Sequence, residues 1–581
     1  MKALFELQSN AESIAKARQS QDKKFHNIPN MKKYITRSGL MEDQVDNLSV
    51  IHVSGTKGKG STCAFCERIL SCHGYKTGLF TSPHLVEVRE RIRINGRPVS
   101  KELFSEYFWK VYTNLKDTQT ENIEGGGMPA YFPFLTVLSL HVFISEGVDV
   151  AVMEVGIGGQ YDSTNFVKDP VVCGVTSLGL DHTSMLGNTI EEIAWSKAGI
   201  FKKGHPAITV PQDSKAMKVL LDRSIEILNP LYLAVPVSEE LLAAHKIHLG
   251  IAGAKQGENA SLAIQLYRMW VQRHSQKELS LDVPLVSSTE DIPKLFVDDL
   301  DEGVLQGLMS CVWPGRTQSI RRMNITYYLD GAHTMESMEV CTAWFQEAAD
   351  KETRAIDGLV GRVLIFNATG DRDVGPFLNI LKDCSFDAAL FCTNLLSTVE
   401  SLNRPDQMNR TVTVKGMLER AQNNKVSWDS LFESDASPKP ELDHNFNSKN
   451  ILENDDDGAL SEQPQLLNHP TDCSLSIDRN EDLRVVEDSD SSEKQTEISH
   501  VESAHTGSVK HMSLAFPCIM EALAWATQGR DPLLDFDETT KSLVPEVPRV
   551  LLEKDHIQVL ITGSLHLVGG VLGVLAPNMN D

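Results

Sequence analysis

VIHVSGTKGKGST, at residues 50–62, joins an apolar run to a glycine-rich loop, and a second apolar segment follows from Ala64 to Leu70. This order predicts a strand, a tight loop and the start of a helix. Glycines let backbone N–H groups approach phosphate oxygens, and the N-terminus of a helix adds a positive dipole. We therefore expect a phosphate-binding loop made of Gly55, Thr56, Lys57, Gly58, Lys59, Gly60 and Ser61.

The lysine and hydroxyl residues of this loop favour an enzyme that uses a nucleoside triphosphate. Lys59 can place its charge against the β- and γ-phosphates, and a hydroxyl can reach Mg²⁺. The spacing nevertheless departs from the general phosphate-loop pattern, G-x-x-x-x-G-K-[ST]. Val53 stands in place of the first glycine and Gly60 in place of Ser or Thr, so a glycine-rich turn without a ligand remains an alternative.

Composition and charge narrow the class of protein. The 581 residues are enough for two or three domains, and the net charge of −24 argues against nonspecific nucleic-acid binding. No uninterrupted apolar run is long enough to predict a membrane span. The amphipathic first residues include Glu6 and Glu12, and acidic residues are rare in mitochondrial presequences. We expect a cytoplasmic protein, with a mitochondrial form as the alternative.

Strand and helix patterns alternate along the first half of the chain. Such alternation predicts an α/β fold with a mostly parallel sheet covered by helices. The expected strands are Val50–Ser54, Thr77–Thr81, Val148–Val155, Val171–Ser177 and Ala207–Val210. The expected helices are Ser61–Cys72, Phe132–Glu146 and Ile190–Phe201.

A second α/β series begins after the turn Trp313-Pro314-Gly315-Arg316. We place a phosphate-loop NTPase-like domain at residues 1–315 and a smaller Rossmann-like α/β domain at 316–581. Residues 433–502 contain 19 acidic and 5 basic residues, so we expect a disordered acidic insert at about 430–510. The other elements expected in the second domain are strands at Thr326–Leu329, Val363–Asn367, Ala388–Cys392 and Gln558–Thr562, and helices at Glu336–Ala349, Val414–Arg420 and Ile519–Thr527.

Polar residues follow several strands of the first domain. Because ligands bind at the carboxyl ends of strands in open α/β sheets, Ser82, Glu154 and His182 could meet at one edge. A carboxylate at the end of an apolar strand needs a cationic partner, and Mg²⁺ is commonly held by one carboxylate, phosphates and water. A salt-bridged Glu154 and an ordinary hydrogen-bonded His182 remain the structural alternatives.

Lys197 and three residues of the second domain are further candidates. Lys197 lies in an apolar helix, where a buried amine needs a carboxylate partner or a lowered pKa, unless the side chain reaches solvent. Asp330 follows a strand and could bind a ribose hydroxyl. His333 and Arg316 could meet the charge that develops on a transferred phosphate. Each of these three could equally be a structural turn residue.

Together these segments resemble the folylpolyglutamate synthase family, within the ADP-forming amide ligases that include the Mur ligases. The family loop reads G-T-x-G-K-G-S, so Gly60 belongs to the family's own pattern. The resemblance covers nearly the whole chain outside the acidic insert. The segments that carry it are HVSGTKGKGSTCAF, LFTSPHLVEVRERIRINGRPVS, VMEVGIGGQYDSTN, SLGLDHTSMLGNTIEEIAWSKAGIFK, WPGRTQ, YLDGAHT, FNATGDRD and ITGSLHLVGG.

The resemblance implies a reaction and its substrates. MgATP phosphorylates the terminal γ-carboxylate of a folate, and the amine of L-glutamate attacks the acyl phosphate to give an amide, ADP and phosphate. The implied enzyme is a monomeric tetrahydrofolate:L-glutamate γ-ligase that also extends folylpolyglutamates. ATP and Mg²⁺ are the implied cofactors, and a monovalent cation such as K⁺ is a further candidate.

The resemblance also implies roles in the first domain. Lys59 and the loop glycines hold the phosphates, and Ser82, Glu154 and His182 ligate magnesium. Lys197 matches a lysine that is carbamylated in some relatives, where it helps hold a second metal.

The resemblance implies further nucleotide contacts from Asn259 of the first domain and from Arg316 and Asp330 of the second, with His333 near the γ-phosphate.

Three other functions remain open from the residues. They are a phosphate-loop kinase or NTPase, a related ligase acting on dihydropteroate or peptidoglycan precursors, and a non-catalytic folate- or nucleotide-binding protein.

Overall fold

The computed structural model contains two sheets covered by helices. It describes residues 2–7, 27–120, 123–275, 286–370, 372–399, 413–433, 512–536 and 538–580. All of these residues belong to one compact unit. Most of the acidic insert expected at about 430–510 lies outside the described residues, and residues 430–433 are the end of a helix. Within the described ranges, no helix is long and apolar enough to cross a membrane.

The first half of the chain forms a nine-stranded sheet. Its strands are β1 (Val50–Ser54), β2 (Thr77–Phe80), β3 (Ile92–Ile94), β4 (Arg97–Pro98), β5 (Val150–Glu154), β6 (Val172–Val175), β7 (Ala207–Thr209), β8 (Leu231–Ala234) and β9 (Lys294–Leu295). Their spatial order is β4-β3-β2-β5-β1-β6-β7-β8-β9. The strands from β2 to β9 in this order are parallel, whereas β3 and β4 are antiparallel additions at one edge.

Helices cover both faces of this sheet. They are α1 (Lys2–Glu6), α2 (Asn27–Arg37), α3 (Glu42–Asp46), α4 (Lys59–Cys72), α5 (Lys101–Asp117), α6 (Tyr131–Glu146), α7 (Thr183–Leu186), α8 (Ile190–Lys197), α9 (Ser214–Ile227), α10 (Glu239–Ala244), α11 (Gln256–Ser275) and α12 (Glu302–Ser310). The helix α6 is apolar over most of its surface because it is buried in the core, and it ends at Gly147, whose φ of 62° suits a glycine cap.

Strand β1 sets the position of the glycine-rich loop. All five of its residues are buried, as expected for a central parallel strand covered on both faces. Val53 pairs with Glu154 of β5 on one side and with Gly174 of β6 on the other. The loop that follows Ser54 therefore emerges at the carboxyl edge of the sheet, next to the end of β5.

The second half forms a six-stranded sheet of order β10-β11-β15-β12-β13-β14, in which only the β10–β11 pair is antiparallel. Its strands are β10 (Gln318–Arg321), β11 (Ile325–Leu329), β12 (Val360–Phe366), β13 (Ala388–Cys392), β14 (Met512–Phe516) and β15 (His556–Thr562). Its helices are α13 (Met335–Ala355), α14 (Gly375–Lys382), α15 (Val414–Glu433), α16 (Ile519–Thr527), α17 (Glu538–Leu543), α18 (Arg549–Leu552) and α19 (Leu565–Leu575).

The two halves touch through the segment that follows Ser82. A Cβ placed on Gly569, in α19, would lie 2.0 Å from the carbonyl oxygen of Leu85, so only glycine permits this contact. Val86 is buried within the apolar core of the second sheet. Arg89 Nη1 donates to the carbonyl oxygen of Asn580 at 2.7 Å. The carboxyl edge of the first sheet is thereby held beside the second half.

The fold class predicted from the sequence is confirmed by both sheets. The predicted bounds of Val50–Ser54, Ala388–Cys392 and Ile519–Thr527 match the structure, and the predicted helix at Val414–Arg420 continues to Glu433. The domain boundary near residue 315 falls between α12 and β10, and the division into domains remains a prediction.

Candidate active site

The glycine-rich loop bends sharply before α4. Gly58 has a φ of 84°, in the left-handed region that favours glycine, and it caps the helix that starts at Lys59. A Cβ at Gly58 would lie 2.2 Å from Asn259 Oδ1 of α11, so the turn also needs glycine for space. Asn259 is buried, and its Oδ1 accepts a hydrogen bond from Thr62 Oγ1 at 3.4 Å. The predicted nucleotide contact Asn259 therefore lies directly against the loop.

Two lysine ammonium groups share one carbonyl oxygen in this loop. Lys59 Nζ lies 3.0 Å and Lys197 Nζ 2.7 Å from the oxygen of Gly55. Lys197 is buried, with a relative exposure of 3%. Burial, reinforced by the Lys59 charge, lowers the pKa of Lys197 to about 7. The loop therefore holds a concentrated positive charge of the kind that binds phosphate.

The segment after β6 fixes the other side of the loop. The backbone N–H groups of Thr56 and Lys57 donate to the carbonyl oxygen of Ser177 at 2.9 and 3.1 Å. Lys57 Nζ forms an ion pair with Asp181 Oδ2 at 2.9 Å. Burial alone would raise the pKa of Asp181, but the Lys57 charge lowers it to about 2. This pair orients Lys57 at the edge where ligands bind.

Glu154 ends β5 with its side chain buried at the same edge. Its Oε2 accepts a hydrogen bond from the backbone N–H of Ser82 at 2.9 Å. Burial raises the pKa of Glu154, while the charges of Lys59 and Arg316 act in the opposite direction. The structure thus brings the predicted metal ligands Ser82 and Glu154 together, and the charges of Lys59 in the loop and Arg316 in the second half both act on Glu154.

His182 lies on the segment that follows β6, beside Asp181. It caps the short helix α7 with a φ of 51°, and its side chain is exposed. Desolvation lowers the pKa of His182, Asp181 raises it, and the charge of Lys59 lowers it further. His182 is next to Asp181, which pairs with Lys57 of the loop, so His182 lies at the same carboxyl edge of the sheet as Glu154. Within the described ranges, no group of three or more His, Cys, Asp and Glu side chains is arranged to hold a metal ion without other ligands.

The second half contributes Asp330, at the carboxyl end of β11. Asp330 is buried, and its Oδ2 accepts from the backbone N–H of Thr317 at 2.8 Å. Burial raises the pKa of Asp330, while the Arg316 charge opposes this change. The neighbouring Gly331 leaves room for Arg316, because a Cβ there would lie 2.9 Å from its Nη1. The charge of Arg316 therefore acts on the carboxylates of both Asp330 and Glu154.

His333 follows in the same turn, and the charge of Lys57 in the loop acts on it. Its Nδ1 lies 2.8 Å from the carbonyl oxygen of Gly331, and its backbone N–H donates to Ser337 Oγ at 3.0 Å. Burial lowers the pKa of His333 to about 4, and the charges of Lys57 and Arg316 act in the same direction. Burial therefore favours the neutral imidazole near pH 7, and the place of His333 near the γ-phosphate stays a prediction.

A supporting residue missed by the sequence analysis is Asp162. It is buried, and it accepts hydrogen bonds from the backbone N–H of Ile157 at 3.1 Å and from Thr164 Oγ1 at 2.7 Å. Thr164 in turn contacts Nε2 of the buried His52 in β1 at 2.8 Å. This network holds the glycine-rich turn after Glu154 against the central strand. The sequence signal that could have identified Asp162 is its place two residues before Thr164, a spacing typical of a residue that caps a short helix.

Comparison with known proteins places this arrangement in a family. No protein-family model matches the chain. Bovine mitochondrial folylpolyglutamate synthase is 42% identical over 587 residues, covering 100% of this chain and 92% of the relative. The chain belongs to the folylpolyglutamate synthase family. The human mitochondrial folylpolyglutamate synthase agrees, with 42% identity over 590 residues, 99% of this chain and 91% of its own length.

A solved structure supports the fold of the folylpolyglutamate synthase family for this chain. The Mycobacterium tuberculosis folylpolyglutamate synthase complexed with ADP and AMPPCP matches with a TM-score of 0.59 and 19% identity. The match covers 94% of this chain and 95% of that structure. At this level of identity the similarity establishes the fold, and the family resemblance recognised in the sequence is confirmed.

Proposed function

We propose that this chain is an ATP-dependent ligase that adds L-glutamate to the γ-carboxyl group of tetrahydrofolate and its polyglutamates through an acyl phosphate, with release of ADP and phosphate. The observation that carries the proposal is one rim on which Lys59 and Lys197 meet the Gly55 carbonyl beside Glu154. Charges act between this rim and the second half: Arg316 acts on Glu154 and Asp330, and Lys57 acts on His333. Such a site can hold a triphosphate between the two halves.

The proposed chemistry depends on positioning and charge. Lys59, with the backbone of the glycine-rich loop, binds the phosphates, and Arg316 offsets the charge that grows during phosphoryl transfer. Asp330 and Asn259 orient the nucleoside. Contact between the halves excludes water, which would otherwise hydrolyse the acyl phosphate.

His333 lies in the turn that follows Asp330. Its Nδ1 is directed at the Gly331 carbonyl, and in the corresponding tautomer Nε2 is an acceptor. A pKa of about 4 makes this imidazole too weak a base to take a proton from the ammonium group of glutamate near pH 7. We therefore propose for His333 only a position near the γ-phosphate.

Oxygen atoms of the protein at this rim and of the nucleotide could bind Mg²⁺ together. Ser82 and Glu154 lie together, one hydroxyl and one buried carboxylate, and His182 lies on the same rim. Magnesium is commonly bound by one or two protein oxygens, with phosphates and water completing the shell. When bound, the ion would neutralise phosphate charge. A lysine with a pKa near 7, such as Lys197, is also competent for carbamylation, because the neutral amine is the reacting form.

The comparisons support the substrates and suggest a compartment. Related structures are described as complexes with AMPPCP and folate, or with DHPP and ADP. The bovine and human relatives are named as mitochondrial proteins, which supports a mitochondrial form beside the expected cytoplasmic one. We propose that the chain acts as a monomer on small molecules.

Incorporation of labelled glutamate into tetrahydrofolate tests the proposal. We expect ATP-dependent incorporation and ADP release that requires both folate and glutamate. ADP release without glutamate would indicate an NTPase, and a preference for dihydropteroate would indicate a dihydrofolate synthase. Lys59→Ala should abolish incorporation nearly completely. Lys76→Ala is the matched control, because Lys76 pairs with Glu146 away from the rim and its loss should leave activity unchanged.

A further inference from the structure

Gly60 lies against an aromatic side chain from a distant part of the chain. A Cβ on Gly60 would be 3.2 Å from Trp313 Nε1 and 3.6 Å from its Cε2 and Cζ2. The first distance is shorter than an ordinary van der Waals contact, so a side chain at this position would displace the indole or the start of α4. Generic phosphate loops carry Ser or Thr here. In this chain the indole takes up that space.

The indole also contacts an arginine of β3. The guanidinium carbon of Arg93 lies 4.8 Å from the centre of the Trp313 ring, within the range of a cation–π contact. Arg93 Nε donates to the carbonyl oxygen of Glu90 at 3.1 Å, which fixes the guanidinium on β3. The buried carboxylate of Glu67, on the same helix as Gly60, offsets its charge. Trp313 is thus packed between β3 and the start of α4.

The backbone of Trp313 leads directly into the Arg316 turn. Its carbonyl oxygen accepts a hydrogen bond from the backbone N–H of Arg316 at 3.2 Å. The turn passes through Gly315, whose φ of 70° lies in the left-handed region. Trp313 thus touches the start of α4 through its indole and the Arg316 turn through its backbone.

We propose that Trp313 is a positioning residue that fixes the phosphate loop and the Arg316 turn in one arrangement, and that Gly60 is required because the indole occupies the space next to it. This inference rests on the proposed use of a nucleotide at the loop. It assigns no contact between the indole and the substrate. Its effect is expected on nucleotide affinity and much less on the folate side of the site.

A double-mutant cycle of Gly60→Ser and Trp313→Leu tests the coupling. Direct binding of ADP and AMPPCP gives dissociation constants that do not depend on ligase turnover, and steady-state assays give KM for ATP and for folate. We expect each single variant to weaken nucleotide binding by about 10-fold or more. The double variant should bind no more weakly than Trp313→Leu alone, because the added side chain then has space.

Trp195→Leu is the matched control. The Trp195 ring stacks on Arg223 at 4.9 Å, a comparable cation–π contact. Trp195 is exposed and, two positions from the buried Lys197, lies on a different face of α8, so its loss should leave the KM for ATP within about twofold. Trp313→Phe keeps an aromatic face for Arg93 and should retain more nucleotide affinity than Trp313→Leu. It also serves if Trp313→Leu does not fold.

Two results would overturn the inference. Additive effects of the two substitutions would show that Gly60 and Trp313 do not share the same space. Equal losses for ATP and folate, together with a lowered unfolding temperature, would show that Trp313 supports the fold in general. The variants could show the expected coupling in nucleotide binding while the wild type has no ligase activity. In that case the proposed function fails and the positioning role stands.

Discussion

Two largely buried glutamates, Glu154 in the first half and Glu352 in the second, have opposite surroundings. Glu154, at the carboxyl end of β5, accepts from one backbone N–H and is otherwise balanced by the more distant charges of lysine and arginine. Glu352 lies near the amino ends of β11 and β15 and accepts from Thr326 at 2.7 Å and Tyr328 at 2.8 Å.

The pKa shifts of the two glutamates follow from these partners. Burial raises the pKa of Glu154, and the surrounding charges do not cancel that effect. Burial would also raise the pKa of Glu352, but hydroxyl and amide donors outweigh it and lower the pKa. A carboxylate left short of direct donors at the carboxyl edge of a sheet is suited to receive a cation, whereas a fully hydrogen-bonded one is suited to stabilise the fold.

The largest effect is expected from Glu154→Gln. Loss of the only carboxylate among the proposed magnesium ligands should lower the rate of glutamate incorporation by roughly 10²–10³-fold, as for other groups that stabilise transition-state charge. Because a buried charge is removed, the urea midpoint should stay unchanged or rise. A variant that unfolds more readily and keeps its activity would place Glu154 in the same class as Glu352.

Glu352→Gln should have the reverse outcome. Glutamine keeps one acceptor oxygen, so one of the hydroxyl groups of Thr326 and Tyr328 loses its acceptor. About 1–3 kcal/mol of unfolding free energy should be lost as a result. Values of kcat and KM for ATP and folate should be retained. Glu352 lies near the amino end of β11, whereas the site residue Asp330 follows its carboxyl end. A large change in kcat with unchanged stability would contradict the structural role.

Tyr328→Phe removes a single donor to Glu352. We expect a loss of about 0.5–1.5 kcal/mol, the usual contribution of one hydrogen bond. Equilibrium urea unfolding measures it. If Tyr328→Phe costs as much in the Glu352→Gln background as in the wild type, the two side chains do not act on each other.

The pH dependence of stability gives the smallest effect. The folded-state pKa of Glu352 is lowered, so its contribution is present above the unfolded-state value of about 4.3 and is lost as the pH falls through the folded-state pKa. The difference in urea midpoint between wild type and Glu352→Gln should therefore shrink below about pH 4. A difference that grows in acid would contradict the direction of the shift.

Strong local patterns made much of this fold predictable. The apolar run Val50–Ser54 and the glycines after it determine a buried strand and a loop without reference to distant residues. The antiparallel strands β3 and β4, at Ile92–Ile94 and Arg97–Pro98, were missed because they are short and depend on pairing at the sheet edge.

The sequence predicted individual residues of the candidate site, but not the contacts between residues that are distant in the chain. Strand ends and family motifs pointed to Glu154 and Asp330, and the structure puts both within the influence of Arg316. The contact of Trp313 with Gly60 has no signal in a single sequence, because it joins residues far apart in the chain. The neutral state of His333 depends on burial in the folded protein and was likewise hidden.

The two ammonium groups on the Gly55 carbonyl couple ligand binding to protons. At pH 7 the Lys197 amine, with a pKa of about 7, carries only part of its charge. A phosphate anion arriving beside it would raise that pKa and draw a proton from solvent, up to about half a proton per site near neutral pH. Calorimetric binding enthalpies should then vary with the ionisation enthalpy of the buffer, because ligand binding at the loop is accompanied by proton uptake.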